Sequence, residues 1–387
     1  MTTQALFSRA SLADAMALAC KIAPKRHNLP ILANVLMRHH DGAAMIEATD
    51  LDLTARITLA DAIADAGFAA TVPAHTLRDA VKIAAGDRKR LAGADVTIAA
   101  GDTGATVLAS GARASLPTLD VADWSEMKIE GEIRADFTIP RAAMLAALES
   151  VHHAISTEAT RYYLNGIFMH AHRDADGANA LRFVACDGHR LAVRTIGAAA
   201  IAGAWADMPG IIIPTGTVNF MVAALKRKGA PDDVRVIVNS VKARFVSGNV
   251  DMTTKLIDGT FPDYMRVIPS ANDKRLTIGR AVLASAIKNV AHVFTKDACA
   301  MRLRLEPGAD LRVDANIADS GSAESSAPCD YDGAPLDIGF NGRYILDMLD
   351  TIGDDNVTLK FGDSGTPAIV SGMAQGEDFG LIMPMRV

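Results

Sequence analysis

One sequence pattern recurs three times along this chain of 387 residues, and it constrains the fold more than any other feature. An apolar segment leading into a helical stripe appears at 7–22, at 137–155 and at 276–294, intervals of about one small domain. Each copy is followed by an acidic loop and a strand-like stretch, carried by Ala48-Thr49-Asp50-Leu51, by Ala185-Cys186-Asp187-Gly188 and, more weakly, by Asp314-Ala315-Asn316-Ile317. A second helix opens after Thr71-Val72-Pro73, after Ile212-Ile213-Pro214 and after Ile338-Gly339-Phe340-Asn341. A closing strand pair carries Ala109-Ser110-Gly111, Val246-Ser247-Gly248 and Val370-Ser371-Gly372. Three matching units point to a symmetric scaffold before they point to a catalytic pocket.

The first helix of each unit has apolar residues at i, i+4 and i+7: Leu12/Met16/Ala19, Met144/Leu148/Val151 and Leu283/Ile287/Val290. The second helices repeat the pattern with Leu77/Val81/Ala84, Val218/Met221/Val222/Leu225 and Ile345/Met348/Leu349/Ile352. Between them lie β-rich runs such as Ala55-Arg56-Ile57-Thr58-Leu59, Val234-Arg235-Val236-Ile237-Val238 and Val357-Thr358-Leu359-Lys360-Phe361. The expected fold is α+β, with three repeated domains at 1–130, 131–269 and 270–387, each packing two helices on one side of a mainly antiparallel sheet. Polar stretches at 127–134 and 269–274 are the expected linkers.

Half the residues are hydrophobic, enough for three cores. No apolar run reaches the roughly 18 residues that span a bilayer, and Met1-Thr2-Thr3-Gln4 starts no signal peptide, so a cytoplasmic protein without a membrane partner is expected. Cys20, Cys186, Cys299 and Cys329 match no metal or redox spacing and are expected to be reduced thiols.

The net charge of −6 argues against bulk attraction to nucleic acid. Its distribution argues the other way. Helices drawn at 12–27, 78–90, 141–161, 217–230, 280–296 and 342–352 carry formal charges of +2, +3, 0, +3, +3 and −1, leaving −16 for the rest. If these helices line one hole with axes about 10 Å apart, six leave a gap of only about 9 Å. Twelve leave about 28 Å, wider than a duplex of roughly 20 Å. Such an arrangement accommodates DNA only as a dimer.

The chain resembles the bacterial sliding clamp family, the β subunit of DNA polymerase III, over essentially its whole length. The resemblance is carried by Leu29-Pro30-Ile31-Leu32-Ala33-Asn34, Arg161-Tyr162-Tyr163-Leu164-Asn165-Gly166, Asp187-Gly188-His189-Arg190-Leu191-Ala192, Phe261-Pro262-Asp263-Tyr264 and Met383-Pro384-Met385-Arg386. It implies three DNA-clamp domains closed head to tail into a homodimeric ring around duplex DNA. It also implies a non-catalytic processivity factor with no cofactor, loaded by a clamp-loader complex. DNA polymerase III α subunit and other polymerases would dock short apolar peptides into a groove between the second and third units.

Positions matching that groove are Leu164, Cys186, Gly188, His189, Arg190, Leu191, Pro262, Arg266, Val267, Thr366, Pro367, Leu381, Met383, Pro384 and Met385, an apolar set with a polar rim. Arg26, Tyr162 and Tyr163 match DNA-touching positions; Lys82, Arg88, Lys89, Arg90, Lys226, Arg227, Lys228 and Lys288 are candidates for diffuse phosphate attraction. Ring closure is expected to set Ala114 and Leu116 against His292 and Val293. Four departures from the family stand out. Glu158 would repel phosphate, Met265 replaces a basic residue, Cys186 replaces a hydroxyl, and Ala114 is smaller than the usual aromatic, which weakens closure.

Two rival readings accompany this one. An enzyme would use His189 as general base with Asp187 orienting it, but no nucleophile elbow, phosphate loop or metal cluster accompanies them. His152/His153 and His170/His172 are expected to be satisfied surface histidines rather than zinc ligands. The other alternative is a paralogous clamp specialised for repair or for titrating partners.

Overall fold

Each apolar stripe becomes the buried face of a helix. The computed structural model describes residues 2–83, 95–101, 104–109, 111–173, 177–296, 298–373 and 378–387. Its α-helices are α1 (Arg9–Ala19), α2 (Ala74–Ile83), α3 (Arg141–His152), α4 (Thr215–Leu225), α5 (Arg280–Val290) and α6 (Gly342–Thr351). Leu12, Met16, Ala19, Met144, Leu148, Val151, Leu283, Ile287 and Val290 are all fully buried. In the second helices Leu77, Val81, Val218, Met221, Leu225, Ile345, Met348 and Leu349 are buried, while Val222 and Ile352 stay at the margin. Ala84 lies outside the described residues.

Outside α2, whose expected end at 84–90 lies outside the described residues, the helices end earlier than the sequence pattern predicts, and the charge partition changes with them. As folded, those five carry a net formal charge of only about +1, against +7 over the expected spans. The basic residues follow the helix ends instead: Lys21, Lys25 and Arg26 after α1, and Lys226, Arg227 and Lys228 after α4. Cations there face the negative end of the helix dipole. Gly229, with φ of +78°, turns the chain away from α4 in a conformation that a side chain would oppose. A further correction concerns the third acidic loop: Asp314 lies inside the strand Leu311–Ile317, where its carboxylate accepts from Arg302 and Arg304.

The strands fall into a five-plus-four pattern repeated three times. Five strands in each repeat are ordered alike: Ile63–Ala64, Thr3–Ser8, Asp95–Gly101, Gly104–Ala109, Ala112–Leu116 in the first; Ala202–Ala204, Ala135–Pro140, Asp233–Val238, Lys242–Ser247, Val250–Lys255 in the second; Asp330–Asp332, Lys274–Gly279, Asn356–Phe361, Ala368–Gly372, Phe379–Ile382 in the third. Four more form the other set: Ala69–Pro73, Asn34–His40, Ala43–Thr49, Leu53–Leu59 in the first; Ile211–Pro214, Gly166–Arg173, Asn179–Cys186, Arg190–Gly197 in the second; Leu336–Asn341, Ala300–Leu305, Leu311–Ile317, Gly321–Ala327 in the third. Every pairing is antiparallel, so short turns suffice and one face of each sheet packs on helices.

The sets of neighbouring repeats fuse edge to edge. Val250–Lys255 pairs with Leu53–Leu59, and Phe379–Ile382 pairs with Arg190–Gly197, each fusion making a nine-stranded sheet. The compact units therefore do not follow the repeats. One comprises residues 1–145, 200–209 and 216–256; the other comprises 146–199, 210–215 and 257–387. Each holds one terminal repeat and part of the middle one.

In the first unit α1 packs on α2, and the stretch 127–134 is pinned rather than free. Glu47 is fully buried, and its carboxylate accepts from Trp124 Nε1 and Arg56 Nε, each at 2.7 Å. Arg38 approaches the same carboxylate at 3.8 Å and pairs with Glu126 at 2.9 Å. Asn239 donates to the carbonyl of Glu130, and Lys242 Nζ donates to that of Lys128. In the second unit α5 packs on α6 over a core that includes Met301, Phe340 and Phe361.

Candidate functional site

The fusion of Arg190–Gly197 with Phe379–Ile382 brings Leu191 opposite Leu381. Those two join Leu164, Val184, Val193, Ile212, Phe261 and Tyr264 in one buried cluster, with Tyr163, Cys186 and Ile369 packed partly against it. Three expected groove residues thus share a core, and a fourth, Cys186, borders it. Pro262, Arg266 and Val267 flank Tyr264, whose hydroxyl shares a 3.0 Å hydrogen bond with His170 Nε2. Stacking of Phe168 on Phe261 at 4.8 Å further fixes that segment.

The polar rim is a turn held from several sides. Asp187 Oδ1 accepts from the backbone N–H of His189 and of Arg190, each at 2.9 Å, and Asp187 Oδ2 accepts from Arg190 Nε at 3.0 Å. Gly188 has φ of +89°, a conformation that side chains oppose, so the turn favours glycine, and the Arg161 guanidinium fills the space that a Cβ would take. Arg190 also donates to Asp347 at 2.6 Å and lies 4.2 Å above the ring of Tyr344. The ring of His189 stacks beside the same tyrosine.

The chain's last residues lie against this turn. The N–H of Met383 donates to His189 O at 2.8 Å, and that of Met385 donates to Gly339 O at 2.9 Å. Met383, Met385 and Val267 remain exposed at 45%, 41% and 51%, apolar surface left open beside a finished core. Thr366 and Pro367 sit on a separate loop, where Thr366 Oγ1 donates to Asp363 and thereby holds that carboxyl below its usual range. Asn272 donates to the carbonyls of Pro367 and Lys360, anchoring the loop two residues before Ile369 and the cluster.

Tyr344 and Asp347 escaped sequence reasoning. The available signal was scarcity: the chain has only five tyrosines, and Tyr163, Tyr264 and Tyr344 all touch this site. The enzyme reading fails on geometry. Asp187 caps its own turn and Arg190 instead of orienting the His189 ring, and His170 is occupied by Tyr264 and by the carbonyl of Ala171.

A cleft of about 690 Å³ lies elsewhere in this unit, bordered by Glu149, His153, Arg194, Asp350, Asp354 and Asp378, and none of the expected groove residues lines it. His153 departs from the expected satisfied surface histidine, because both its ring nitrogens are buried without a hydrogen-bond partner. Burial and then the Arg190 charge lower its pKa to about 4, against the smaller opposing pull of Asp347 and Asp187. The unfolded chain thus binds the extra proton first, so stability is lost as pH falls from about 6.5 towards 4. His153→Leu is expected to remove about 2 kcal/mol of that pH dependence, less than the full shift because water reaches the cleft. Denaturant titrations at pH 7 and pH 4.5 measure it, and an unchanged difference between them would rule it out.

Comparison with known proteins covers the whole chain. The DNA polymerase III beta subunit families match in order: the N-terminal domain at residues 3–128, the central domain at 138–263 and the C-terminal domain at 265–386. The chain belongs to the bacterial β sliding clamp family. It is 34% identical to the beta sliding clamp of Caulobacter vibrioides over 98% of both chains, and 31% identical to that of Escherichia coli K12 over 94% of both. A sliding clamp from Bartonella birtlesii, solved bound to griselimycin, superposes with a TM-score of 0.90 at 33% identity over the full length of both chains.

The protein is therefore a DNA sliding clamp, a non-catalytic processivity subunit of DNA polymerase III. The paralogue reading is not favoured, since the clamp match runs through all three domains. No helix among the described residues is long and apolar enough to cross a membrane. The expected DNA-facing residues of this clamp fall in both units. Arg26, Lys82, Lys226 and Lys228 are exposed in the first, and Tyr162 and Lys288 are exposed in the second. Arg88, Lys89 and Arg90 lie outside the described residues. Tyr162 meets Tyr163 edge-on at 5.8 Å, which joins a DNA-facing candidate to the groove cluster.

Arg161 grips the Glu158 carboxylate with two nitrogens, so the charge that would repel phosphate is locally balanced, and its pKa is lowered by that hydrogen bonding. Of the expected dimer residues, Ala114 and Leu116 lie on Ala112–Leu116, the outer strand of the first repeat's five-strand set. Val293 is buried in the third repeat's core, and His292 is exposed on the short 3-10 helix Ala291–Val293.

Proposed function

We propose that two copies of this clamp close head to tail into a cytoplasmic ring around duplex DNA, with domains at 1–130, 131–269 and 270–387. One observation carries the proposal. Both internal fusions join the last strand of a five-strand set to the last strand of a four-strand set, and the same two kinds of strand are left unpaired at the ends of the pattern. These are Ala112–Leu116 and Gly321–Ala327. An open antiparallel edge is a template for another strand. Pairing Ala112–Leu116 of one copy with Gly321–Ala327 of the next repeats the internal joint, and two copies complete six repeats. Ala114 and Leu116, with His292 and Val293 beside the partner edge, form that seam. Arg113 on one strand and Glu324 on the other give it opposite charges.

Arg26, Tyr162, Tyr163, Lys82, Arg88, Lys226, Lys228 and Lys288 supply diffuse contacts to phosphates. The groove from Leu164 through the 186–191 turn, the 262–267 and 366–367 segments and the 381–385 tail takes apolar peptides from the polymerase α subunit, other polymerases and the clamp loader. Its apolar floor and satisfied rim suit a short peptide better than a reacting substrate.

The experiment is retention after loading by an ATP-driven clamp loader. A ring stays on circular DNA through a salt rise and runs off the same DNA once it is linearised. Binding through phosphates alone falls by about 10³-fold or more over a fourfold rise in salt, on both substrates. Equal retention on linear and circular DNA would overturn the encircling model.

A further inference from the structure

Methionine exposure in this clamp is sharply segregated. The chain has 16 methionines, and of the 15 described, 11 are at 8% exposure or less. The four exposed ones are Met265 at 49%, Met373 and Met383 at 45% and Met385 at 41%. Three of the four, Met265, Met383 and Met385, sit on the segments that form the groove. A core needs its methionines buried, so exposure at one place marks side chains kept for contact with something else.

We infer that these three thioethers are a redox-sensitive modification site, whose oxidation by a hydroperoxide to sulfoxides releases partner peptides from the groove. The inference rests on the groove reading above. In the step, a sulfur lone pair takes the distal peroxide oxygen and the O–O bond breaks. The sulfur is oxidised by two electrons, and the remaining oxygen leaves as water or an alcohol. The product replaces a flexible apolar surface by a strong acceptor dipole that an apolar peptide cannot satisfy. At Met265 a donor already waits, because Arg182 Nη1 lies 3.7 Å from its sulfur and can hold the new oxygen. The nearby thiol is the poorer target. Burial pushes the Cys186 pKa up, which leaves little thiolate, and its sulfur accepts the Gly188 N–H.

The test uses the full-length protein and a fluorescent peptide carrying the clamp-binding segment of a replicative polymerase. Limited hydrogen peroxide is expected to add oxygen at Met265, Met383 and Met385 ahead of the 11 buried methionines, as read by peptide mass spectrometry. Affinity for the probe should fall about tenfold or more and return after treatment with methionine sulfoxide reductases. The triple variant Met265→Leu, Met383→Leu, Met385→Leu, whatever its own affinity, should lose none on oxidation; Met373→Leu should respond like the parent. Unchanged binding by the oxidised parent, or equal loss in the triple variant, overturns the inference. A clamp lacking residues 383–387 separates the two readings. If it binds the probe as the parent does, the groove reading fails and this inference with it; if it does not bind while oxidation is harmless, only this inference fails.

Discussion

Removing residues 383–387 is expected to lower affinity for a polymerase-derived peptide by at least about 100-fold while the clamp remains a dimer. Two backbone hydrogen bonds hold the methionine part of the tail, Met383 N–H on His189 O and Met385 N–H on Gly339 O. The side chains of Met383 and Met385 therefore remain open to a partner. Deletion removes two exposed methionines and Pro384 together, and it uncovers Gly339, against which the backbone of Met385 and the side chain of Val387 now lie. The strand Phe379–Ile382 stays intact, so Leu381 remains opposite Leu191 and the core below the groove survives. Met383→Asp offers a milder test, since it places an unpaired charge on the groove without shortening the chain. Peptide titration by fluorescence anisotropy and sedimentation of the same samples give the two readouts. Undiminished peptide binding, or dissociation to monomers, contradicts the assignment.

Glu47→Ala is expected to destabilise the first compact unit by about 3–5 kcal/mol, near the upper end for a single substitution. The carboxylate has no contact with solvent and serves the Trp124 indole N–H and Arg56 directly, with Arg38 close by. Taking it away leaves a buried donor unsatisfied and two guanidinium groups without their shared counter-ion. Trp124 reports the damage. In a Trp205→Phe background it is the only tryptophan, and its emission should shift to the red at a lower denaturant concentration than in the parent. A change below about 1 kcal/mol would mean that the network contributes little.

That network shows where a sequence stops being informative. Helix faces were legible because each stripe is local: Leu12, Met16 and Ala19 announce their burial by spacing alone. Helix ends were misjudged because Lys226, Arg227 and Lys228 are good helix formers, and only the positive φ of Gly229 shows that the chain has already turned. Asp314 read as a loop residue, since a carboxylate in a strand is unusual until Arg302 and Arg304 are seen across the ladder. Glu47 and Trp124 are 77 positions apart, and no periodicity links them. At the groove the family resemblance supplied Leu164, Leu191 and Leu381, which the fold gathers into one core. Tyr344 and Asp347 were missed because they meet Arg190 only after two repeats have joined.

The six joints of the proposed ring, two internal to each copy and two between copies, use equivalent strands, yet chain connectivity makes them unequal. At both internal joints the partner strand is tethered, so its effective concentration stays in the millimolar range whatever the dilution of the protein. At the seam between copies, Ala112–Leu116 must find a strand on a separate molecule, and the small side chain of Ala114 contributes little buried area there. Dilution therefore acts on one kind of joint alone, and the proposed ring has two built-in places to part, both between copies.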